Sequence, residues 1–537
     1  MLTNAATGTG PFQLDVPEYF NFATDVVDRW AEDPTKAALL WTDERGEQVG
    51  RSFRQISERS RRLASGLRRV GVKPGDRVLV IIPPQPAWWE VMTALFRLGA
   101  IAVPGTSQLT ARDIRHRLDF AEGSAIIADE ASAAKADELS REEELVRVVL
   151  GQRPGWHEYN AVLDEGSHTF PAPRTRSDDP ALLYFTSGTT GYPKMVLHTH
   201  ASYPIGHTVT GKYWLDLGEK DLHWNLSDTG WAKAAWSSLF APWDMGACVF
   251  AFRQYGKPDA QKILAQFEEH GITSFCAPPT IYRMLVQTDL SQFQYDSLRS
   301  CVAAGEPLNP EVIDSWRRGT GLTIRDGYGQ TETVAIVVNM PGAEIRPGSM
   351  GKPSPGFEVD VIENGQPLPA NREGDIAVRV KPNRPIGLFK EYWHDSEATA
   401  SRFVGDWYIT GDRAFRDNNG YLWFVGRADD VIISAAYRIG PFEVESALVE
   451  HPAVAEAAVV GKPDRERGEI VKAFVTLAPG YAGSEELARE LQEHVKSVTA
   501  PYKYPREIEF VDDLPKTVSG KIRRVELRER ERERAGD

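Results

Sequence analysis

Three cysteines in 537 residues, Cys248, Cys276 and Cys301, exclude a disulfide-stapled scaffold. Their spacing fits no zinc or dithiol motif, so a reducing compartment, read as the cytoplasm, is expected. Net positive charge is also missing: 62 Lys and Arg face 76 Asp and Glu, a formal charge of -14. A general binder of nucleic acid or anionic membrane needs a basic footprint, so neither partner is expected. No apolar run approaches the roughly 20 residues of a membrane span, which argues against integral membrane association. Residues 1–10 have neither a basic n-region nor an apolar core, and no secretory leader is expected there. A Walker A loop is lacking too, because no Gly-Lys-Ser/Thr stands at the required spacing.

What is present is an ordinary globular composition, 42% hydrophobic and 26% charged, over more length than one core supports; two or three domains are expected. Residues 53–70 read as a helix, 77–82 as a buried strand, 88–98 as a helix and 101–104 as the next strand. Residues 259–270 and 272–276 repeat the pattern, and such βα units imply parallel sheets covered by helices. Around residues 352–428, short strands alternate with Asn, Gly and Pro turns, the texture of a β-rich subdomain. Beyond Asp430 two helices and three strands form a compact α+β module. From Arg523 onward, alternating Arg and Glu read as a solvated, fraying helix.

One segment stands out. The apolar run 181–185 feeds Thr186, Ser187, Gly188, Thr189, Thr190, Gly191, Tyr192, Pro193 and Lys194. Glycines let backbone N–H groups crowd round an anion, hydroxyls add donors and Lys194 adds charge, which makes a phosphate cradle. Downstream, Asp326, Gly327, Tyr328, Gly329, Gln330, Thr331 and Glu332 form a tight loop able to approach a flat ring. Glu332 is a hard oxygen ligand suited to Mg²⁺. Asp412 ends a strand with a carboxylate suited to ribose hydroxyls, although in isolation a turn-capping Asp is the simpler reading. Arg427 with Asp429 and Asp430 marks the passage into the last module, and Lys521 sits on a Gly-containing loop. His198 and His200 are read as surface or helix-entry positions, and Lys233 as exposed.

In this order the motifs resemble those of the adenylate-forming superfamily, and most closely medium-chain acyl-CoA synthetases. The likeness rests also on residues 16–22, 227–231, 437–441 and 498–506. It implies a large α/β N-terminal domain (1–428) of stacked, helix-covered sheets with a β-rich subdomain. A small mobile α+β domain (429–537) would follow, hinged at Asp429. It further implies two half-reactions, carboxylate plus MgATP to acyl-AMP and pyrophosphate, then acyl transfer to CoA. Lys521, Thr331 and Glu332 would be catalytic, with Glu332 on the metal. The 186–194 loop would hold β- and γ-phosphates, Asp412 and Arg427 the ribose, and Tyr328 with Gly305, Glu306 and Pro307 the adenine. Ala435, Ala436, Tyr437, Arg438, Arg467, Lys496, Tyr504 and Arg506 are candidates for CoA, an ordinary solvated basic edge being the alternative for the charged ones. Trp231 and Ala232 would line the acyl pocket. Lys521 is also the position where a lysine acetyltransferase and deacetylase would act.

One departure matters. The superfamily usually carries Ser-Gly before Tyr/His-Arg, whereas this chain has Ala435 and Ala436. A methyl at the second position crowds the expected path of the pantetheine arm, or the local backbone accommodates it. An acyl-adenylate former that delivers to an amine or carrier protein therefore stays open, as does a non-catalytic binding protein, which the intact Lys521, Glu332 and Asp412 disfavour.

Overall fold

A computed structural model describes residues 14–138, 145–186, 194–434, 437–464, 467–517 and 521–536. Of the residues singled out above, Ser187, Gly188, Thr189, Thr190, Gly191, Tyr192, Pro193, Ala435 and Ala436 lie outside them.

The strand Arg77–Ile81 is buried from residue 78 onward and pairs in parallel with Ile101–Pro104 and Ala125–Asp129. Strands buried on both faces must be covered by helices. Phe53–Arg69 does this with Leu63 and Leu67, and Pro86–Leu98 with Trp88, Val91 and Leu95. The longer helix starts at Ser52, whose side chain and that of Gln55 form a reciprocal capping box. Among the described residues these strands belong to an eight-stranded sheet, whose strand Pro180–Thr186 runs antiparallel to Lys194–Thr199. The two-residue strand Glu391–Tyr392 closes that edge.

A nine-stranded sheet lies beside it. There Ser300–Ala304 runs parallel to Ile324–Tyr328, with Ala304 opposite Gly327. Loops leaving these two strand ends therefore emerge side by side, where open α/β sheets bind ligands. A six-stranded sheet follows, antiparallel, and its strands Trp407–Arg416 and Leu422–Arg427 set Asp412 directly opposite Arg427. The last module is a five-stranded sheet packed by Pro441–Val449 and Glu485–Val498, which bury Val444, Leu448, Leu491 and Val495. This is the α/β architecture with a β-rich part and a smaller α+β module that the sequence implies.

Two local expectations fail. The helix Arg524–Gly536 is solvated on one side only and is packed down on the other, where Leu527 and Glu531 are buried. Glu531 accepts from Lys472 Nζ at 2.9 Å, and the same ammonium lies 2.8 Å from both Glu507 and Glu509. Arg524 adds a two-pronged contact to Glu445 at 2.6 and 2.8 Å. Local composition suggested fraying, but a lysine sealed into the neighbouring sheet gives these acids a long-range partner. His198 and His200 are the second failure: both are buried, not superficial.

Lys472→Ala would take the central, buried cation from three carboxylates, of which Glu531 is itself fully buried, and leave them only the rim cations Lys462, Arg530 and Arg534. It is expected to destabilise the last module by about 3–5 kcal/mol, seen as an earlier transition in urea unfolding, with the N-terminal sheets unaffected.

Candidate active site

The described surface contains a cleft of about 580 Å³ where the two parallel sheets, the six-stranded sheet and the last module meet. Thr186 and Lys194, the two described ends of the phosphate-type loop, open into it. Gly305, Glu306 and Pro307 line it from one strand end, and Asp326, Gly327, Tyr328, Gly329, Gln330, Thr331 and Glu332 from the next. Asp412 and Arg427 come from the six-stranded sheet, and Lys521 from the last module.

Asp412 is held before any ligand arrives. Its Oδ2 accepts from Tyr328 Oη and from Gln330 Nε2, each at 2.6 Å. Burial raises its carboxyl above the ordinary range, opposed by the Tyr328 bond, the Arg427 charge and the Gln330 bond. Gly411, inside the same strand where its register with Glu373–Arg379 shifts, supplies the left-handed residue that aims it. At φ 81° any other residue would be strained there, and its Cβ would displace the Arg402 guanidinium, 2.5 Å away. Gly327 answers to packing in the same way, since a Cβ would lie 2.5 Å from the Trp214 ring. Its openness serves the protein's own indole rather than a ligand's ring.

Lys521 stands next to an isolated antiparallel bridge between Lys516 and Ile522, and the Thr517 N–H donates to the Lys521 carbonyl at 2.7 Å. Its side chain stays accessible within the cleft. Loss of water between the walls pushes its ammonium below the ordinary value, while Glu306, then Asp412 and Glu332, oppose that and Arg427 adds to it. Glu306 is itself tied back by Thr280 Oγ1 at 3.0 Å and Arg283 Nη2 at 3.1 Å. Its side chain thus bears on the charge balance around Lys521.

Glu332 sets its carboxylate in the cleft with Oε1 accepting from Tyr392 Oη at 2.7 Å. Among the described residues no three His, Cys, Asp or Glu converge as a metal cage. One hard carboxylate in a phosphate-sized cleft nevertheless fits Mg²⁺, which keeps its waters and takes most other ligands from substrate phosphates. Thr331 is fixed through its carbonyl, to which His198 Nε2–H donates at 2.7 Å.

None of the described CoA candidates lines this cleft. Lys496, Tyr504 and Arg506 form one cluster: Lys496 Nζ lies 4.2 Å from the Tyr504 ring centre and Arg506 Nη1 donates to Tyr504 Oη at 3.1 Å. Arg467 and Arg438 are exposed. Tyr437 stacks openly on Tyr502, ring centres 4.4 Å apart. Asp429 is exposed and pairs with Arg427 at 3.5 Å, whereas Asp430 is held by Arg528 from the terminal helix. Trp231 and Ala232 are half-buried. Lys233 corrects the expectation of exposure, since its Nζ donates to the Ala304 carbonyl at 3.0 Å and its charge faces Cys276, Glu306 and Lys521.

Residues 26–393 match the family described as AMP-binding enzyme, and 443–521 its C-terminal domain. The chain belongs to the AMP-binding enzyme family. It is 49% identical over 534 residues to mouse (Mus musculus) acyl-coenzyme A synthetase ACSM3, mitochondrial, covering 97% of this chain and 92% of that one. Among solved structures, the anthranilate CoA ligase AuaEII in complex with anthranoyl-AMP superposes with a TM-score of 0.89 at 32% identity, covering 97% of this chain and 99% of that one. A benzoate CoA ligase from Burkholderia xenovorans LB400 gives 0.84 at 31% identity, with 95% and 100% covered. No helix among the described residues is long and apolar enough to cross a membrane.

Several residues that shape the site carry no motif signal: Tyr392, Arg402, Thr280, Arg283 and His198. They act through contacts distant in sequence, and only the His198 and Lys194 alternation along one strand hinted at a shared face.

Burial holds His198 and His200 down to about 4 and His223 to about 3. An unfolded histidine titrates near 6.5, so stability present above that pH is lost as pH falls toward 4. Each such residue contributes a slope of up to about 1.4 kcal/mol per pH unit. Urea melts at pH 7, 6 and 5 should show stability falling with more than one proton taken up on unfolding, and His223→Asn should reduce the slope by one.

Proposed function

We propose that this chain joins a carboxylic acid, medium-chain with branched and aryl acids included, to the thiol of CoA through an acyl-AMP. The observation that carries this reading is the meeting of Lys521, Asp412, Arg427 and Glu332 in one cleft from four separate segments. The full-length likeness to acyl-coenzyme A synthetases supports it.

In the first half-reaction a substrate carboxylate oxygen attacks the α-phosphorus of ATP, the bond to the β-phosphate oxygen breaks and pyrophosphate leaves. A carboxylate is a weak nucleophile facing a polyanion, so catalysis comes from positioning and charge neutralisation. Lys521 reaches the α-phosphate and the attacking carboxylate; Lys194 and residues 186–193 hold the β- and γ-phosphates. Asp412, steadied through its Oδ2, and Arg427 grip the ribose. Tyr328 serves doubly, at the adenine and as the donor that steadies Asp412. Glu332, with a threonine of the 186–194 loop, would hold Mg²⁺, which neutralises phosphate charge when bound. Thr331 presents its hydroxyl beside it.

In the second half-reaction the CoA sulfur attacks the acyl carbonyl, the bond to AMP breaks and the thiol proton passes to solvent. The domains run 1–428 and 429–537, and exposed Asp429 absorbs the backbone rotation that withdraws Lys521. Rotation then presents Tyr437 and Arg438, with Lys496, Tyr504 and Arg506 for the 3′-phosphate end of CoA and Arg467 beside them. Acid selection belongs to Trp231 and Ala232, and the product belongs to fatty-acid metabolism. Lys521 is accessible enough to be a substrate for a lysine acetyltransferase and its deacetylase. The free cysteines suit a reducing compartment such as the cytoplasm; the mouse relative is named mitochondrial.

The test mixes enzyme, MgATP, CoA and a panel of acids from acetate to dodecanoate with benzoates, reading pyrophosphate, AMP and thioester separately. All three are expected, and Lys521→Ala should lower pyrophosphate release by about 10²–10³-fold. Pyrophosphate without thioester would favour delivery to an amine or carrier protein, and Ala436→Gly should then restore thioester. No product with any acid would overturn the reading.

A further inference from the structure

Tyr392 is buried to 2% exposure and lies where three strands of chain meet. It pairs with Val196 on the strand Lys194–Thr199, which leaves the phosphate-type loop. Its ring receives the Lys194 ammonium at 4.8 Å from the centre, a distance at which the ring quadrupole attracts a cation. Its hydroxyl donates to Glu332 Oε1 at 2.7 Å. The same segment fixes the Glu332 main chain, since Phe389 N–H donates to the Glu332 carbonyl at 2.7 Å. Its own backbone is set by Thr399 Oγ1, which accepts from the Tyr392 N–H at 2.9 Å. One side chain therefore touches both a cation expected to face the leaving phosphates and the carboxylate expected to face their metal.

We propose that Tyr392 is a positioning residue that fixes the distance and relative orientation of Lys194 and Glu332, and so sets the fit of the site to a metal-bound triphosphate. The hydroxyl occupies Oε1 and leaves Oε2 as the less committed oxygen for a cation. The ring holds Lys194 by its face, without a hydrogen bond that would compete with phosphate for the ammonium protons. The two functions separate chemically: Phe keeps the ring and loses the hydroxyl, and Leu loses both. This inference rests on the reading that Glu332 holds Mg²⁺.

The experiment measures Mn²⁺, as the probe for Mg²⁺, binding to the full-length enzyme with a non-hydrolysable ATP analogue by electron paramagnetic resonance. Metal-free affinity for the analogue and the melting temperature are measured alongside. Glu332→Gln is the control for the underlying reading. Tyr392→Phe is expected to weaken Mn²⁺ by about 10-fold or more, the usual effect of losing an outer partner of a metal ligand. Metal-free nucleotide affinity and the acid KM should stay within about twofold. Tyr392→Leu should in addition weaken metal-free nucleotide affinity by about threefold through Lys194.

If Glu332→Gln weakens Mn²⁺ and Tyr392→Phe does not, the proposal is wrong and the metal reading stands. If Glu332→Gln leaves Mn²⁺ unchanged, the metal reading fails and takes the proposal with it. Equal losses of melting temperature, metal-free affinity and Mn²⁺ affinity in Tyr392→Phe would make the residue merely structural and also overturn the proposal.

Discussion

Like charge is the constraint around which this site is built. A carboxylate that attacks a triphosphate approaches a polyanion, and at an effective dielectric of about 20 two unit charges 4 Å apart repel by about 4 kcal/mol. Cations must be brought in, yet they cannot be packed together without repelling one another in the empty protein. The chain spreads them over separate segments: Lys194 at the start of a strand in the eight-stranded sheet, Arg427 on the six-stranded sheet and Lys521 on the last module. Each meets a carboxylate or an aromatic face, with Arg427 opposite Asp412, Lys194 on Tyr392 and Lys521 in the field of Glu306. Glu306 is in turn pinned by Thr280 and Arg283, so it faces the lysine without collapsing onto it.

The fold makes this spread possible because loops from different sheets end at one place. Parallel strands Ser300–Ala304 and Ile324–Tyr328 deliver 305–307 and 328–332 side by side, and the cross-strand pair Asp412 and Arg427 closes the cleft from the other side. Rigid sheets carry the parts that hold a nucleotide. Only Lys521 rides on a separate module, joined to the main body by modest contacts such as Asn309 Nδ2 to Ser446 Oγ at 3.1 Å. That division suits a charge needed in one half-reaction and unwanted in the next.

The parts of this arrangement visible in the sequence are those whose chemistry is local. A strand running into Gly, Thr and Lys, a Gly-Tyr-Gly turn before Thr331 and Glu332, and Asp412 at a strand end each carry their meaning within a few residues. The architecture was legible for the same reason, through βα alternation giving way to short antiparallel strands. What stayed hidden depends on contacts far along the chain. The terminal helix looked solvated all round because its Glu531 finds Lys472, some sixty residues upstream, only in the folded sheet. Lys233 and His198 looked superficial because the Ala304 and Thr331 carbonyls that receive them are distant in sequence. The glycine at 327 suggested room for a ligand ring, whereas Trp214 takes that room.

The central claim is that Lys521 supplies charge to the first half-reaction alone. Its most direct test gives Lys521→Ala pre-formed acyl-AMP and CoA, bypassing adenylation, and compares thioester formation with that from acid and MgATP. The account predicts that thioester formation from acyl-AMP stays within about threefold of the unsubstituted enzyme, while synthesis from acid and MgATP falls by about 10²–10³-fold. Equal losses in both reactions would contradict it.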